Sequence, residues 1–208
     1  MKSFISEDHI EQAICNRLSQ PEYGWKRIEC SPDLDAQDEV ASTGRANPSE
    51  CILPEVFLSA LRRLNPQIDD EILKNILQDF RKDYSGTDMM DTNYKFYNQI
   101  RNGIKVKTRN QYREDFDIVK LIDFDHPERN DFHCVNQMWI KGHFRYRRPD
   151  VLLFVNGLPV VFIELKNSTV KIEESYNKNL VSYRKDIPNI FAMNQICVLS
   201  ITTENSRK

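Results

Sequence analysis

The sequence predicts an α/β protein of the α+β kind, in which helices precede a sheet-rich second half. Three observations predict this fold class. Amphipathic helical patterns dominate residues 1–103, short apolar segments typical of strands dominate residues 104–208, and one more helical pattern precedes the last of these segments. We therefore expect one domain over residues 1–208, with a mainly helical part followed by a sheet-rich core.

The first predicted helix begins after Ser6, a residue type that caps helices, with Glu7 and Asp8 in the first turn, where the helix dipole favours anions. Glu11 lies at the edge of its apolar stripe and could face a buried surface. Its apolar positions are Ile10, Ala13, Ile14 and Leu18. Residues 29–50 are rich in Pro, Asp, Ser and Gly, which predicts a long loop.

Three further helices are predicted before the sheet. One covers about residues 53–64, and another begins at the Asp69 cap and carries its apolar face as far as Phe80. A short helix over about 94–101 ends before Gly103, a residue typical of helix C-termini.

The short apolar segments of the second half predict a mainly antiparallel meander. The candidate strands are 104–108, 115–123, 132–141, 150–155, 159–166 and 196–202. A helix over about 172–186 is expected to end before Pro188, since proline does not continue a helix.

Composition limits the compartment and the mode of binding. Lys and Arg number 29 against 31 Asp and Glu, so the net charge of −2 argues against coating nucleic acid by bulk charge alone. No apolar run is long enough to span a membrane, and the N-terminus lacks the apolar core of a secretory signal. The five cysteines show no CxxC spacing, so we expect reduced thiols, a cytoplasmic protein and no membrane partner.

A local basic run precedes Asp150. Its members are Lys141, Arg145, Arg147 and Arg148, interleaved with His143, Phe144 and Tyr146. Such a run can be a solvated strand face or a surface that binds phosphates. Its position directly before an acidic residue favours the second interpretation.

The strand at 159–166 ends in charged residues. Alternation along it places Glu164 and Lys166 on one face and Leu165 on the other. A carboxylate and an ammonium at the end of an apolar strand are costly to bury unless they pair with each other, a metal or a ligand.

The parity of the hairpin decides whether Asp150 shares the face of Glu164. A two-residue turn at Asn156-Gly157 would pair Val155 with Leu158 and Asp150 with Ile163, and the two carboxylates would then point to opposite faces. A three-residue loop that includes Val155, with a bulge at Gly157, would place them on the same face. A metal site therefore requires an odd loop or a bulge in this hairpin.

If the side chains converge, their chemistry suits a hard cation. Mg²⁺ prefers oxygen ligands, which Asp150, Glu164 and the Leu165 carbonyl can supply. Lys166 could then position an attacking water or stabilise negative charge in the transition state.

These residues form a D…ExK pattern within a longer one. The chain contains in order Asn136-Gln137, Arg148-Pro149-Asp150, Asn156-Gly157-Leu158-Pro159 and Glu164-Leu165-Lys166-Asn167. The short pattern resembles the PD-(D/E)xK nuclease motif, and the whole resembles the restriction (R) subunit of type I restriction-modification enzymes. The resemblance implies a restriction-endonuclease-like core, a central mixed sheet flanked by helices, with an N-terminal helical portion.

The resemblance also implies further site residues. In that family an acidic residue of the first helix completes the site, and Glu11 matches it by context; alternatively, Glu11 is an ordinary glutamate of an amphipathic helix. A Q-x-x-x-Y element of the family corresponds to Asn179 and Tyr183, with Asn in place of Gln. Both residues, with Arg145, Arg147 and Arg148, are therefore expected to contact DNA.

The function implied by the resemblance is Mg²⁺-dependent, or Mn²⁺-dependent, cleavage of double-stranded DNA. The chain would be the N-terminal part of a longer subunit whose downstream translocase domains bind ATP, since the chain has no P-loop motif. Methylation and specificity subunits would be its partners, and the isolated part would bind and cut DNA poorly. A stand-alone nuclease of the same fold and a catalytically silent DNA-binding scaffold remain alternatives.

Overall fold

A computed structural model of the chain describes residues 6–30, 36–110, 113–166, 176 and 180–201. Its helices are α1 (Glu7–Leu18), α2 (Ala36–Thr43), α3 (Pro54–Leu64), α4 (Asp70–Phe80), α5 (Met89–Asn102), α6 (Val181–Asp186) and α7 (Pro188–Met193), with a 3₁₀ turn at Pro127–Arg129. Its strands are β1 (Lys26–Glu29), β2 (Ile104–Asn110), β3 (Arg113–Val119), β4 (Phe132–Asn136), β5 (Ile140–Lys141), β6 (Tyr146–Arg147), β7 (Val151–Val155), β8 (Leu158–Lys166) and β9 (Ile196–Ile201).

A mixed five-stranded sheet forms the centre, with strand order β1-β4-β7-β8-β9. The inner pairs β4–β7 and β7–β8 are antiparallel, whereas the edge pairs β1–β4 and β8–β9 are parallel. The predicted fold class, a mixed sheet flanked by helices, is confirmed. The expectation of one antiparallel meander is wrong, because β1 joins the sheet from the N-terminal half and β2–β3 and β5–β6 form separate hairpins.

Helices cover both faces of the sheet. On one face α1 packs through Cys15 against Val151 and Leu165. On the other face a larger cluster joins α3, α4, α5 and α7 to Leu152 and Phe162. No helix in the described ranges has the length and apolar character that crossing a membrane requires.

Several element boundaries differ from the sequence prediction. The predicted loop 29–50 contains α2. Its polar sequence gave no helical pattern, because a fully buried ion pair between Glu39 and Arg45, and not an apolar face, holds this helix in place. Pro188 begins α7, since proline fits the first turn of a helix. Of the predicted helix 172–186, residues 181–186 are helical; residues 167–175 and 177–179 lie outside the described part.

The N-terminal caps were predicted more accurately. Ser6 accepts a hydrogen bond from the His9 amide, and Asp69 accepts one from the Glu71 amide. The helix before Gly103 is longer than expected, because Asp88 caps it well before the predicted start at residue 94.

The β7–β8 hairpin turns through two residues and contains a bulge. Asn156 and Gly157 have φ of 51° and 80°, as a type I′ turn requires, and Val155 pairs with Leu158. The prediction of a three-residue loop is therefore wrong, whereas a bulge, the other feature that could bring the two carboxylates to one face, is present. The bulge lies further along β8, where Val160 is inserted between the residues opposite Phe154 and Leu153.

The bulge is held by a contact from the other side of β8. The Val160 carbonyl accepts a hydrogen bond from the Gln195 amide at 2.9 Å. The extra residue shifts the parity, so that Val151 pairs with Ile163. Asp150, one residue earlier, then lies opposite Glu164 and shares its face.

The close packing of this turn is testable at Gly157. A Cβ atom there would lie 2.6 Å from the Leu53 carbonyl oxygen and 2.8 Å from the Phe57 nitrogen. We expect Gly157→Ala to lower the free energy of unfolding in urea by more than the roughly 1–3 kcal/mol that a left-handed alanine costs by itself.

Gly24→Ala is the matched control, since Gly24 has a φ of +67° and a Cβ atom added there would have no neighbouring atom within 4 Å. An equal loss of stability in both variants would contradict the argument.

Candidate active site

Asp150, Glu164 and Lys166 meet around the backbone of one residue, Leu165. Asp150 Oδ2 accepts a hydrogen bond from the Leu165 nitrogen at 2.6 Å. Lys166 Nζ donates to the Leu165 carbonyl at 2.8 Å and lies 2.8 Å from Glu164 Oε1. The aspartate carboxylate is therefore on the side of the glutamate and the lysine.

A fourth acidic or basic side chain reaches the cluster from α1. Glu11 is only 3% exposed, and the Asn136 side-chain amide donates to its Oε1 at 2.8 Å. The Gln137 side-chain amide donates both to Glu11 Oε2 and, at 3.2 Å, to Asp150 Oδ1. One amide group thus links the carboxylate of the first helix to that of Asp150.

The backbone at Gln137 explains how its side chain reaches both acids. Its φ is 56°, which interrupts the strand predicted over 132–141. The Gln137 nitrogen donates to the Asp150 carbonyl at 3.0 Å, and the Gln137 carbonyl accepts from Arg148 Nε at 2.8 Å. In the sequence, Asn136 and Gln137 were recognisable only as part of a family pattern, and their role as hydrogen-bond donors was missed. The positive φ of Gln137 could not be predicted, because no hydrophobic periodicity indicates it.

Burial and mutual repulsion raise the pKa values of the carboxylic acids. Burial, reinforced by the charge of Asp150, raises the pKa of Glu164 to about 7. Burial also raises the pKa of Asp150, although the Leu165 amide and Lys166 oppose the shift. The pKa of Glu11 is raised chiefly by burial, against the hydrogen bonds from Asn136 and Gln137.

Lys166 is the ammonium group of the cluster. Burial alone would lower its pKa, but the hydrogen bond and charge of Glu164, with the charges of Asp150 and Glu7, outweigh burial and raise the pKa. The nearest Glu7 oxygen lies 3.8 Å from Nζ. Lys166 therefore stays protonated and partly compensates the surrounding carboxylates.

Tyr183 closes the site from α6. Its hydroxyl donates to the Arg148 carbonyl at 3.2 Å, and its ring packs edge-on against Phe162. Burial, followed by the charges of Glu164 and Asp150, raises the pKa of Tyr183. Asn179, the other residue of the predicted pair, lies outside the described residues.

The donor atoms suit a hard divalent cation. Glu164 Oε2 is buried and, in the described part of the chain, no donor meets it with good hydrogen-bond geometry, although the Tyr183 hydroxyl lies near this carboxylate. Lys166 Nζ contacts both Glu164 Oε1 and the Leu165 carbonyl. Two carboxylates and one carbonyl offer only oxygen ligands, as Mg²⁺ prefers. Within the described ranges no three His, Cys, Asp or Glu side chains are grouped closely enough to bind a metal by themselves, so a cation here would need the Leu165 carbonyl and water as further ligands.

The three arginines predicted to contact DNA differ in whether their side chains face solvent or contact other residues of the chain. Arg147 Nε donates to Asp186 at 2.7 Å, and the Arg148 guanidinium lies 5.0 Å from the centre of the Trp139 ring. Arg145 is exposed at a hairpin tip. Arg147 and Arg148 therefore support the frame of the site, and Arg145 faces solvent.

The raised pKa of Glu164 has a consequence for stability. Between about pH 4.5 and pH 7 the folded chain holds a proton at Glu164 that the unfolded chain releases, so stability falls as the pH rises through this window. We expect Glu164→Gln to be more stable than the wild type at pH 8, by on the order of 3 kcal/mol.

The gain should vanish below about pH 4.5, where both states of the wild type are protonated at this residue. Urea unfolding in the presence of a chelator measures it, with the exposed Glu128→Gln as control. A stability difference that does not change with pH would contradict the assignment.

Comparison with known proteins places this geometry in a family. Residues 4–205 match the family model described as type I restriction enzyme R protein N terminus. The chain is 30% identical over 200 residues to the type I restriction enzyme HindI endonuclease subunit of Haemophilus influenzae. It is 28% identical over 206 residues to the putative type I restriction enzyme MjaIXP endonuclease subunit of Methanocaldococcus jannaschii.

Each of these alignments covers 94% of the chain and 18% of the relative. The chain thus spans less than a fifth of the length of these relatives. Because the family model matches nearly all of the sequence and the sheet carries the motif, the chain belongs to the family of type I restriction enzyme R protein N-terminal regions.

Proposed function

We propose that this chain hydrolyses phosphodiester bonds of double-stranded DNA as the nuclease module of a type I restriction enzyme R subunit. The observation that carries the proposal is the bulge at Val160, which brings Asp150 to the side of Glu164 and Lys166. The names of the relatives, which are endonuclease subunits, support the same assignment.

Each residue has a distinct role in the proposal. Asp150, Glu164 and the Leu165 carbonyl hold Mg²⁺, which Mn²⁺ could replace. When bound, the ion supplies charge neutralisation at the scissile phosphate and a more acidic water. Lys166, already protonated beside these oxygens, orients the attacking water or stabilises the charge that develops on the phosphate.

Glu11 and Tyr183 complete the site in the proposal. Glu11 is fixed by two amide donors and lies close enough to Asp150 for their charges to interact, so it can orient water or share the cation's coordination shell. Tyr183 limits solvent access to Glu164 through its buried ring and its hydrogen bond to the Arg148 carbonyl.

The length of the relatives supports a larger assembly. We propose that residues 1–208 form one endonuclease domain at the N-terminal end of a longer R subunit, since the alignments cover only 18% of each relative. ATP binding and DNA translocation then belong to downstream domains. Sequence recognition belongs to methylation and specificity subunits in the cytoplasm.

A direct test measures metal binding. We expect Mn²⁺ titrated into the chain to give a binding isotherm in calorimetry, and Asp150→Asn to abolish it by removing one of the two ligand carboxylates. Asp125→Asn is the matched control, because Asp125 is an exposed aspartate outside the cluster. Equal Mn²⁺ binding by both variants would refute the metal site.

The second test uses the complete restriction complex. Asp150→Asn and Lys166→Ala are expected to abolish DNA cleavage, with ATP hydrolysis measured as the control for folding and assembly. A fully cleaving Asp150→Asn complex would favour the silent scaffold. Efficient ATP-independent cutting by the 208-residue chain alone would instead favour a stand-alone nuclease.

A further inference from the structure

The hairpin of β5 and β6 presents an aromatic residue to solvent. Ile140 pairs with Arg147 and Lys141 with Tyr146, which leaves residues 142–145 as the tip. Phe144 at this tip is 98% exposed, more than any other large hydrophobic residue in the described part of the chain. A lone exposed phenylalanine means little by itself, so its surroundings decide whether it has a role.

The hairpin is fixed at its base. Ile140 is buried in the larger core cluster, and the Lys141 nitrogen donates to the Pro48 carbonyl at 2.9 Å. At Gly142 the backbone approaches α6 so closely that a Cβ atom would lie 1.6 Å from the Asp186 carbonyl oxygen. The ion pair between Arg147 and Asp186 holds the other strand. These contacts give the tip a defined position.

The charge around Phe144 is positive. Lys141 and Arg145 are exposed and form no ion pair within the described ranges. His143 Nε2 lies 2.8 Å from the Ser85 hydroxyl oxygen and 3.9 Å from an Asp83 carboxylate oxygen. The remaining acid at the hairpin, Asp186, is neutralised by Arg147. An exposed ring between cations that face solvent is the arrangement with which proteins stack on bases and contact phosphates.

The tip is also within reach of the catalytic cluster. Phe144 lies six positions before Asp150 in the sequence, so the two lie at most about 20 Å apart. This span corresponds to about six base pairs of duplex DNA. A duplex that extends more than about six base pairs from Asp150 and Glu164 is therefore long enough to reach the tip.

We propose that Phe144 inserts between adjacent base pairs of the DNA that the active site holds, with Lys141 and Arg145 on the flanking phosphates. The proposal rests on the proposed function, since it takes duplex DNA as the substrate. Apolar side chains that enter base steps in this way unstack them partially and kink the duplex. The hairpin would fix the local shape of DNA beside the cut without reading its sequence.

Phe124 offers a matched control. It is 61% exposed and belongs to the loop that Asn130 ties to Asn156, at the opposite end of β7 from Asp150. We expect Phe144→Ala to weaken binding to a fluorescein-labelled duplex by roughly 5- to 150-fold, the range of one lost base-stacking contact, and Phe124→Ala to leave it unchanged. Fluorescence anisotropy at low salt, in chelator, measures the affinities.

The salt dependence of DNA binding distinguishes the contribution of the Phe144 ring from that of the charged side chains. Phe144→Ala should keep the slope of log affinity against log salt, whereas Arg145→Ala should lower its magnitude by about one. In Phe144→Trp the new indole should be quenched and shielded from acrylamide on addition of DNA, and in Phe124→Trp it should not.

Wild-type affinity in Phe144→Ala, equal losses in both alanine variants, or no duplex binding by the wild-type chain at low salt would each overturn the hairpin proposal. Because binding is measured in chelator, it is tested separately from hydrolysis. Binding through Phe144 combined with no DNA cleavage by the complete restriction complex would refute the proposed hydrolysis and support the hairpin.

Discussion

The site depends on one inserted residue in one strand. Side chains alternate along a strand, so a regular β7–β8 ladder closed by the Asn156-Gly157 turn would direct Asp150 and Glu164 to opposite faces of the sheet. Val160 shifts the parity once, and the register beyond it places Asp150 opposite Glu164. The hydrogen bond from the Gln195 amide to the Val160 carbonyl stabilises the insertion.

The fold holds several carboxylic acids close together at the site, although burial and mutual repulsion disfavour their charged forms. Two buried carboxylic acids, Glu11 and Glu164, lie beside the partly buried Asp150. The charge of Asp150 raises the pKa of both, and Lys166 is the ammonium group beside them. The amide donors and the Leu165 N–H offset part of this repulsion. A cluster that is locally unfavourable within a well-packed sheet is typical of a functional site.

Local signals allowed much of the fold to be predicted from the sequence. Ser6 and Asp69 cap helices by hydrogen bonds between near neighbours, and Asn156-Gly157 forms its turn from the φ preferences of two residues. Features that depend on distant contacts were missed. They include the parallel pairing of β1, the contact of Arg45 with the Trp139 carbonyl and the position of the bulge at Val160, and each involves residues far away in the chain. The catalytic candidates were predictable as a motif, but the positions of their carboxylates were not.

The double hydrogen bond of Gln137 couples the docking of the first helix to the electrostatics of the site. Because one amide holds the carboxylate of α1 and that of Asp150, a displacement of α1 takes Glu11 away from this amide and leaves the amide to Asp150. Linkage of this kind is reciprocal: neutralising Asp150 stabilises the docked helix, and undocking the helix changes the charge around Asp150. Contacts made on the outer side of α1 therefore act on the candidate site from a distance.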